Sequence, residues 1–195
     1  MVHRVLILGH SFVHRLESFT FNNRNDGWYN LGFDGTQIQI EFAGLGGGTL
    51  HPGPKSIQKE DFMHVVSEYK PETIFIQIGG NDLEREQDPE KLARDIVSYC
   101  NYLITCYNVN HVIIGQLIPR FNGSDDYNVK VRSVNSYLTT MVKTFQKISY
   151  WKHRGVWKDT LSLLCRDRVH FNQEGMLLYA KNIRAAVGFF FHKRS

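Results

Sequence analysis

The sequence predicts an α/β protein built on a parallel sheet with helices on both faces. Three observations point there: short apolar runs rich in β-forming residues, amphipathic stretches of helical period between them, and connections short enough for right-handed crossovers. No internal repeat, low-complexity tract or linker interrupts the alternation, so a single domain over residues 1–195 is expected. A chain of that length buries a sizeable core without covalent staples.

The elements follow in order. Residues 5–8 (VLIL) form a continuous apolar run, the pattern of a central strand covered on both faces. Residues 37–43 (QIQIEFA) alternate polar and apolar, which places Ile38, Ile40 and Phe42 on one side of a half-exposed edge strand. Residues 73–79 (TIFIQIG), 111–118 (HVIIGQLI) and 148–151 (ISYW) supply further strands. Among the helices, Phe62, Val65, Val66 and Tyr69 recur at i, i+3, i+4 and i+7 before Pro71 stops the first. Asp88, Pro89 and Glu90 give a cap, a first-turn proline and a first-turn acid to a helix presenting Leu92, Ile96, Tyr99 and Leu103. A helix over residues 128–145 turns Val131, Val134, Leu138, Met141 and Val142 inward. The last starts at the cap Asn172 and carries Met176, Leu177, Tyr179, Ala180, Ile183 and Val187. Residues 21–36 read as a surface loop with a turn at Asp26 and Gly27.

Cys100, Cys106 and Cys165 form no CxxC pair and no zinc-like spacing with histidines, so they are expected to be buried or incidental thiols. No apolar stretch is long enough for a signal peptide or a membrane span, which leads to the expectation of a cytoplasmic or nuclear protein. The net charge of +4 is uneven: residues 1–110 hold 9 Lys and Arg against 14 Asp and Glu, whereas residues 111–195 hold 14 against 5. Such asymmetry marks either a solvated surface or a basic face for nucleic acid or acidic lipid.

In an open α/β sheet, ligands bind beyond the carboxyl ends of the strands. Ser11 follows the first strand, the cluster GLGGGTL (residues 44–50) the second and GGND (residues 79–82) the third, while DRVHFNQEG (residues 167–175) precedes the last helix. Two readings are open for Ser11, a helix cap or a nucleophile held at a strand end. The glycines suit tight turns or close packing, and they lack the Lys-Ser/Thr of a phosphate-binding loop. Asp167 stands three residues before His170, a spacing that lets a carboxylate reach Nδ1 and turn Nε2 toward a hydroxyl; capping within a loop is the ordinary alternative. Ester hydrolysis also needs donors for the developing oxyanion, and the candidates are the Ser11 N–H, an N–H of the glycine cluster and the Asn81 amide.

These segments in this order resemble the blocks of the SGNH hydrolases, also called GDSL-type esterases, over nearly the whole chain. GHS carries Ser11, GLGGGT carries Gly47 with Gly46 and Gly48 as neighbours one residue away, GGND carries Asn81, and DRVH carries Asp167 and His170. The resemblance implies a flavodoxin-like three-layer fold with five parallel strands. It also implies a Ser11–His170–Asp167 triad, an oxyanion hole from Ser11, Gly47 and Asn81, and no metal or organic cofactor. Compact members are similar to platelet-activating-factor acetylhydrolase catalytic subunits, and esterase domains of animal retroelement proteins share the look of YWKHRGVWKD and the DRVH segment. One departure is that His10 stands where the family has an aspartate other than the triad acid; contact with the oxyanion-hole loop and a competing base are the two roles open to it.

The expected activity is therefore that of a serine esterase or deacetylase acting on a small acyl ester or lipid through an acyl-enzyme. Residues 21–36 and 121–127 are candidate walls of its pocket. The alternative is a nucleic-acid or protein binding module, in which Arg132, Lys143, Lys147, Lys152, Arg154 and Lys158 meet phosphates and Trp151 and Trp157 stack on bases.

Overall fold

The computed structural model describes residues 2–84, 88–122 and 125–193. A five-stranded, all-parallel sheet runs in the order β2-β1-β3-β4-β5, with β1 at His3–Gly9, β2 at Ile38–Gly44, β3 at Thr73–Gln77, β4 at His111–Gly115 and β5 at Ile148–Trp151. Helices α1 (Ser11–Asn22), α2 (Glu60–Tyr69), α3 (Pro89–Cys106), α4 (Asp125–Met141) and α5 (Gln173–His192) connect and cover the strands.

Side chains alternate across each strand, and the central strands show the result directly. Leu6, Leu8, Ile74, Ile76, Val112 and Ile114 face a core shared with α2, α3 and α4, while Val5, Ile7, Phe75 and Ile113 face a second core shared with α1 and α5. Both faces are thus covered, which is why these strands read as unbroken apolar runs. β2 and β5 are the edges, and Ile40 and Phe42 on β2 are only partly buried, as their alternation predicts.

Two helices depart from expectation in detail. The inward face of α2 centres on Met63 and Val66, with Phe62, Val65 and Tyr69 flanking it. The helix expected over residues 128–145 begins earlier, at Asp125, and tightens into a 3-10 turn at Val142–Thr144. Residues 21–36 contain two 3-10 turns, at Arg24–Asp26 and Tyr29–Gly32, and bury Leu31 beneath α5. Among the described residues no helix is long and apolar enough to cross a membrane.

Candidate active site

Ser11 is brought to the carboxyl end of β1 by a turn with almost no free space. A Cβ on Gly9 would lie 2.2 Å from the Gln77 carbonyl oxygen, and one on Gly44 would lie 2.1 Å from the His14 backbone nitrogen. Glycine at both places lets α1 start immediately after β1 and lean on β2. The helix cap is His10, whose Nδ1 accepts from the Phe12 N–H at 3.4 Å. Ser11 is the first residue inside the helix, so its hydroxyl is not spent on capping.

His170 approaches from the opposite end of the chain. Its Nε2 lies 3.0 Å from Ser11 Oγ and its Nδ1 lies 2.8 Å from Asp167 Oδ2. A carboxylate only accepts, so Nδ1 carries the proton and Nε2 receives the serine hydroxyl. The other oxygen of Asp167 accepts the Val169 and His170 N–H groups, each at 2.9 Å. Partial burial pushes the Asp167 carboxyl up, but these three hydrogen bonds and the nearby imidazole outweigh it and hold the group at about 2. Phe12 packs beside the His170 ring, 5.9 Å between centroids, and meets Phe171 and Tyr179 in tilted contacts.

The glycine loop and the asparagine turn meet next to this pair. Asn81 Nδ2 donates to the Gly48 carbonyl at 2.8 Å, which leaves its second amide hydrogen uncommitted by that bond. Gly48 gives its own N–H to the Leu45 carbonyl at 2.8 Å and is thereby removed as an oxyanion donor. Gly47 adopts φ +72°, a conformation that favours glycine, and sits under the Lys55 side chain. Buried Asp82 ties the two segments together, because its carboxylate accepts the backbone N–H groups of Leu50 and His51 at 3.0 Å.

Two contributors, Arg120 and Asn128, escaped the sequence reading, and a third, Tyr127, belongs to the wall expected over residues 121–127. Arg120, in the segment after β4, donates through Nη2 to Asn81 Oδ1 and through Nη1 to Glu84 Oε1 at 2.8 Å, and its guanidinium lies over the Tyr127 ring. Asn128 clamps the Arg120 backbone from both sides, accepting its N–H at 3.0 Å and donating to its carbonyl at 2.6 Å. Tyr127 donates to the Gly80 carbonyl at 3.0 Å, and burial pushes its phenol up to about 12. The signal that was available is position: Arg120, like Ser11 and Asn81, lies beyond the carboxyl end of a strand.

His10 is held neutral. Burial first, then the charges of Arg120 and His170, lower its imidazole to about 3. Its backbone lies against the glycine loop, with Cα 3.4 Å from where a Gly48 Cβ would stand, and its Nδ1 is committed to the cap. Of the two expected pocket walls, residues 28–35 pack instead on the far part of α1, β2 and α5, where Tyr29, Asn30 and Phe33 line a separate groove with Phe21 and Phe42. The physical reason is that α1 starts at the site and carries its other end away at 1.5 Å per residue. The other wall is represented by Tyr127, while residues 123–124 lie outside the described residues. Among the described residues no group of three or more His, Cys, Asp or Glu side chains gathers in a way that would hold a metal ion.

A sequence profile of GDSL-like lipases and acylhydrolases matches residues 10–183. The chain belongs to that family. This GDSL-like acylhydrolase is a carboxylic ester hydrolase, and its fold is similar to several solved esterases. One is an acetyl esterase mutant with an acetate ion, with TM-score 0.71 and 17% identity over 100% of both chains. Another is a carbohydrate esterase family 3 member from Talaromyces cellulolyticus, with TM-score 0.69 and 18% identity over 100% of both chains. A third is the psychrotrophic esterase EstA from Pseudoalteromonas sp., inhibited by monoethylphosphonate, with TM-score 0.68 and 14% identity over 97% of this acylhydrolase and 99% of EstA. Among curated proteins none matches this acylhydrolase in sequence.

Proposed function

We propose that the protein hydrolyses short acyl esters, acetyl esters first among them, through an acyl-enzyme on Ser11. The observation that carries this reading is the unbroken hydrogen-bond chain from Ser11 Oγ through His170 to Asp167. His170 Nε2 takes the hydroxyl proton as Oγ attacks the acyl carbon. The tetrahedral intermediate collapses, the same proton passes to the leaving alkoxide, and the alcohol departs. Water then repeats the sequence on the acyl-serine, delivers the carboxylic acid and restores the serine. The oxyanion is received by the backbone N–H groups of Ser11 and Gly47 and the free hydrogen of Asn81 Nδ2. Acetyl preference rests on the fold neighbours described as an acetyl esterase and an acetyl xylan esterase.

The test is hydrolysis of p-nitrophenyl acetate and butyrate by the protein and its Ser11→Ala variant, with a phosphonate probe located by mass spectrometry. The expected result is turnover with faster cleavage of acetate, a loss of at least about 10³-fold in the variant, and an adduct on Ser11. Undiminished turnover by a folded Ser11→Ala protein, or an adduct elsewhere, would overturn the assignment.

A further inference from the structure

The uneven charge of the chain raises the question of whether its cations converge, and part of them do. A groove of about 760 Å³ runs along the open edge of β5, with residues 142–146 as one wall and the end of α5 as the other. Lys143, Lys152, Arg154 and Lys193 line it, no carboxylate does, and none of the four has an acidic partner among the described residues. Phe145, Trp151, Phe189 and Phe190 line it with the cations. Phe189 is 54% exposed, so a flat ring is open to solvent at the rim. Trp151 packs against Phe189 and Phe190, and its Nε1–H has no hydrogen-bond partner among the described residues. Arg132, Lys147, Lys158 and Trp157 are not part of its lining, and Trp157 packs against both hydrophobic cores.

We infer that this groove binds single-stranded nucleic acid, with the four cations on phosphates and the aromatic rings on bases. An acid-free ring of unpaired cations calls for a polyanion. The exposed rings of Phe145 and Phe189 in the same groove select a polyanion that carries planar, unstacked faces, which a single strand offers and a duplex or an acidic peptide does not. The concave shape, floored by a sheet edge, accommodates a strand better than the plane of a bilayer. A second copy of this chain would set four cations against four. The groove is also separate from the ester site, since β5 lies three strands from β1, roughly 14 Å at the usual strand spacing.

The experiment is fluorescence anisotropy of labelled oligo(U) and oligo(dT) of about 20 nucleotides, titrated with the full chain from about 50 to about 400 mM KCl. The inference expects saturable binding at low salt, with log K falling against log salt at a slope near −3 if all four cations meet phosphates. Combined Lys143→Glu, Lys152→Glu and Arg154→Glu should weaken binding at least about tenfold and flatten the slope. Phe189→Ala should weaken it about tenfold at an unchanged slope. Unchanged ester hydrolysis and circular dichroism establish that each variant is folded, and Lys152→Glu alone replaces the triple variant if that fails to fold. Absence of binding at low salt, or binding indifferent to the charge reversals, would overturn the inference. So would capture by phosphatidylserine vesicles without oligonucleotide binding, or a dimer that the reversals dissolve.

Discussion

Arg120 and Asn81 form the shortest polar contact around the candidate oxyanion hole, Nη2 to Oδ1 at 2.5 Å. An asparagine amide has an accepting end and a donating end, and a guanidinium tolerates only the accepting one. Arg120 therefore decides which end of Asn81 faces the glycine loop, where Nδ2 meets the Gly48 carbonyl. The positive charge also polarises the amide and makes its hydrogens better donors.

If Asn81 receives the oxyanion, Asn81→Ala should lower kcat by about 10²- to 10³-fold. Arg120→Met should lower kcat by about 10- to 100-fold with KM nearly unchanged, because the interaction it supports is made in the transition state. In an Asn81→Ala background the same Arg120→Met change should cost little. Additive losses in that double-mutant cycle would show that Arg120 acts through something other than Asn81.

Asp82 anchors the glycine loop through two backbone N–H groups and is fully buried. Asp82→Ala leaves both without their acceptor and should destabilise the fold by about 1–3 kcal/mol, read as a lower urea midpoint at constant m. Ester hydrolysis should fall further than stability explains, since the loop bearing Gly47 is then held to the Asn81 turn by the Asn81–Gly48 bond without the Asp82 anchor.

If a glycine of the loop receives the oxyanion, alanine should tell Gly47 from Gly46. Nothing lies within 4 Å of a Cβ at Gly46, so Gly46→Ala should leave stability within about 0.5 kcal/mol and kcat intact. Gly47→Ala meets a positive φ and the Lys55 side chain and should reduce kcat. The reverse pattern would move the donor to Gly46.

Acid should unfold the protein before the Asp167 carboxyl is protonated. His10 and His153 are both held neutral at about 3, His10 by burial, Arg120 and His170, and His153 by burial alone. Each takes up a proton in the unfolded chain below about pH 6.5 and in the folded chain only near pH 3. Stability contributed by these neutral rings is complete above that upper value and is lost as pH falls through the window between. Denaturant titrations there should show an uptake of about two protons on unfolding, and His153→Gln should remove about one of them. A flat stability between those limits would contradict the burial of both rings.

The central place of β1 and the helices on both faces of the sheet were legible because β1, β3 and β4 are covered on both sides, which leaves an apolar signature in Leu6, Ile74 and Val112 alike. Ser11 and Asn81 stood out because each follows such a run with a polar side chain, and Asp167 and His170 because they stand three residues apart just before the last helix. Arg120 and Asp82 did not, since an arginine after a proline and an aspartate in a turn look the same in sequence whether they face solvent or a neighbouring loop. Ser11 stayed open between cap and nucleophile for a related reason: a serine at a helix start is a common cap, and only the structure shows His10 taking that place. The wall expected from residues 21–36 failed because loop position depends on where α1 ends, which local pattern does not encode.

Ser11 and His170 are 159 positions apart. A ribosome adding about 5–20 residues per second makes the hydroxyl roughly 10–30 s before the imidazole that touches it. During that interval the nascent chain carries a serine hydroxyl without the Nε2 that meets it in the folded protein. On the proposed mechanism, the hydroxyl made early in synthesis waits for an imidazole made late.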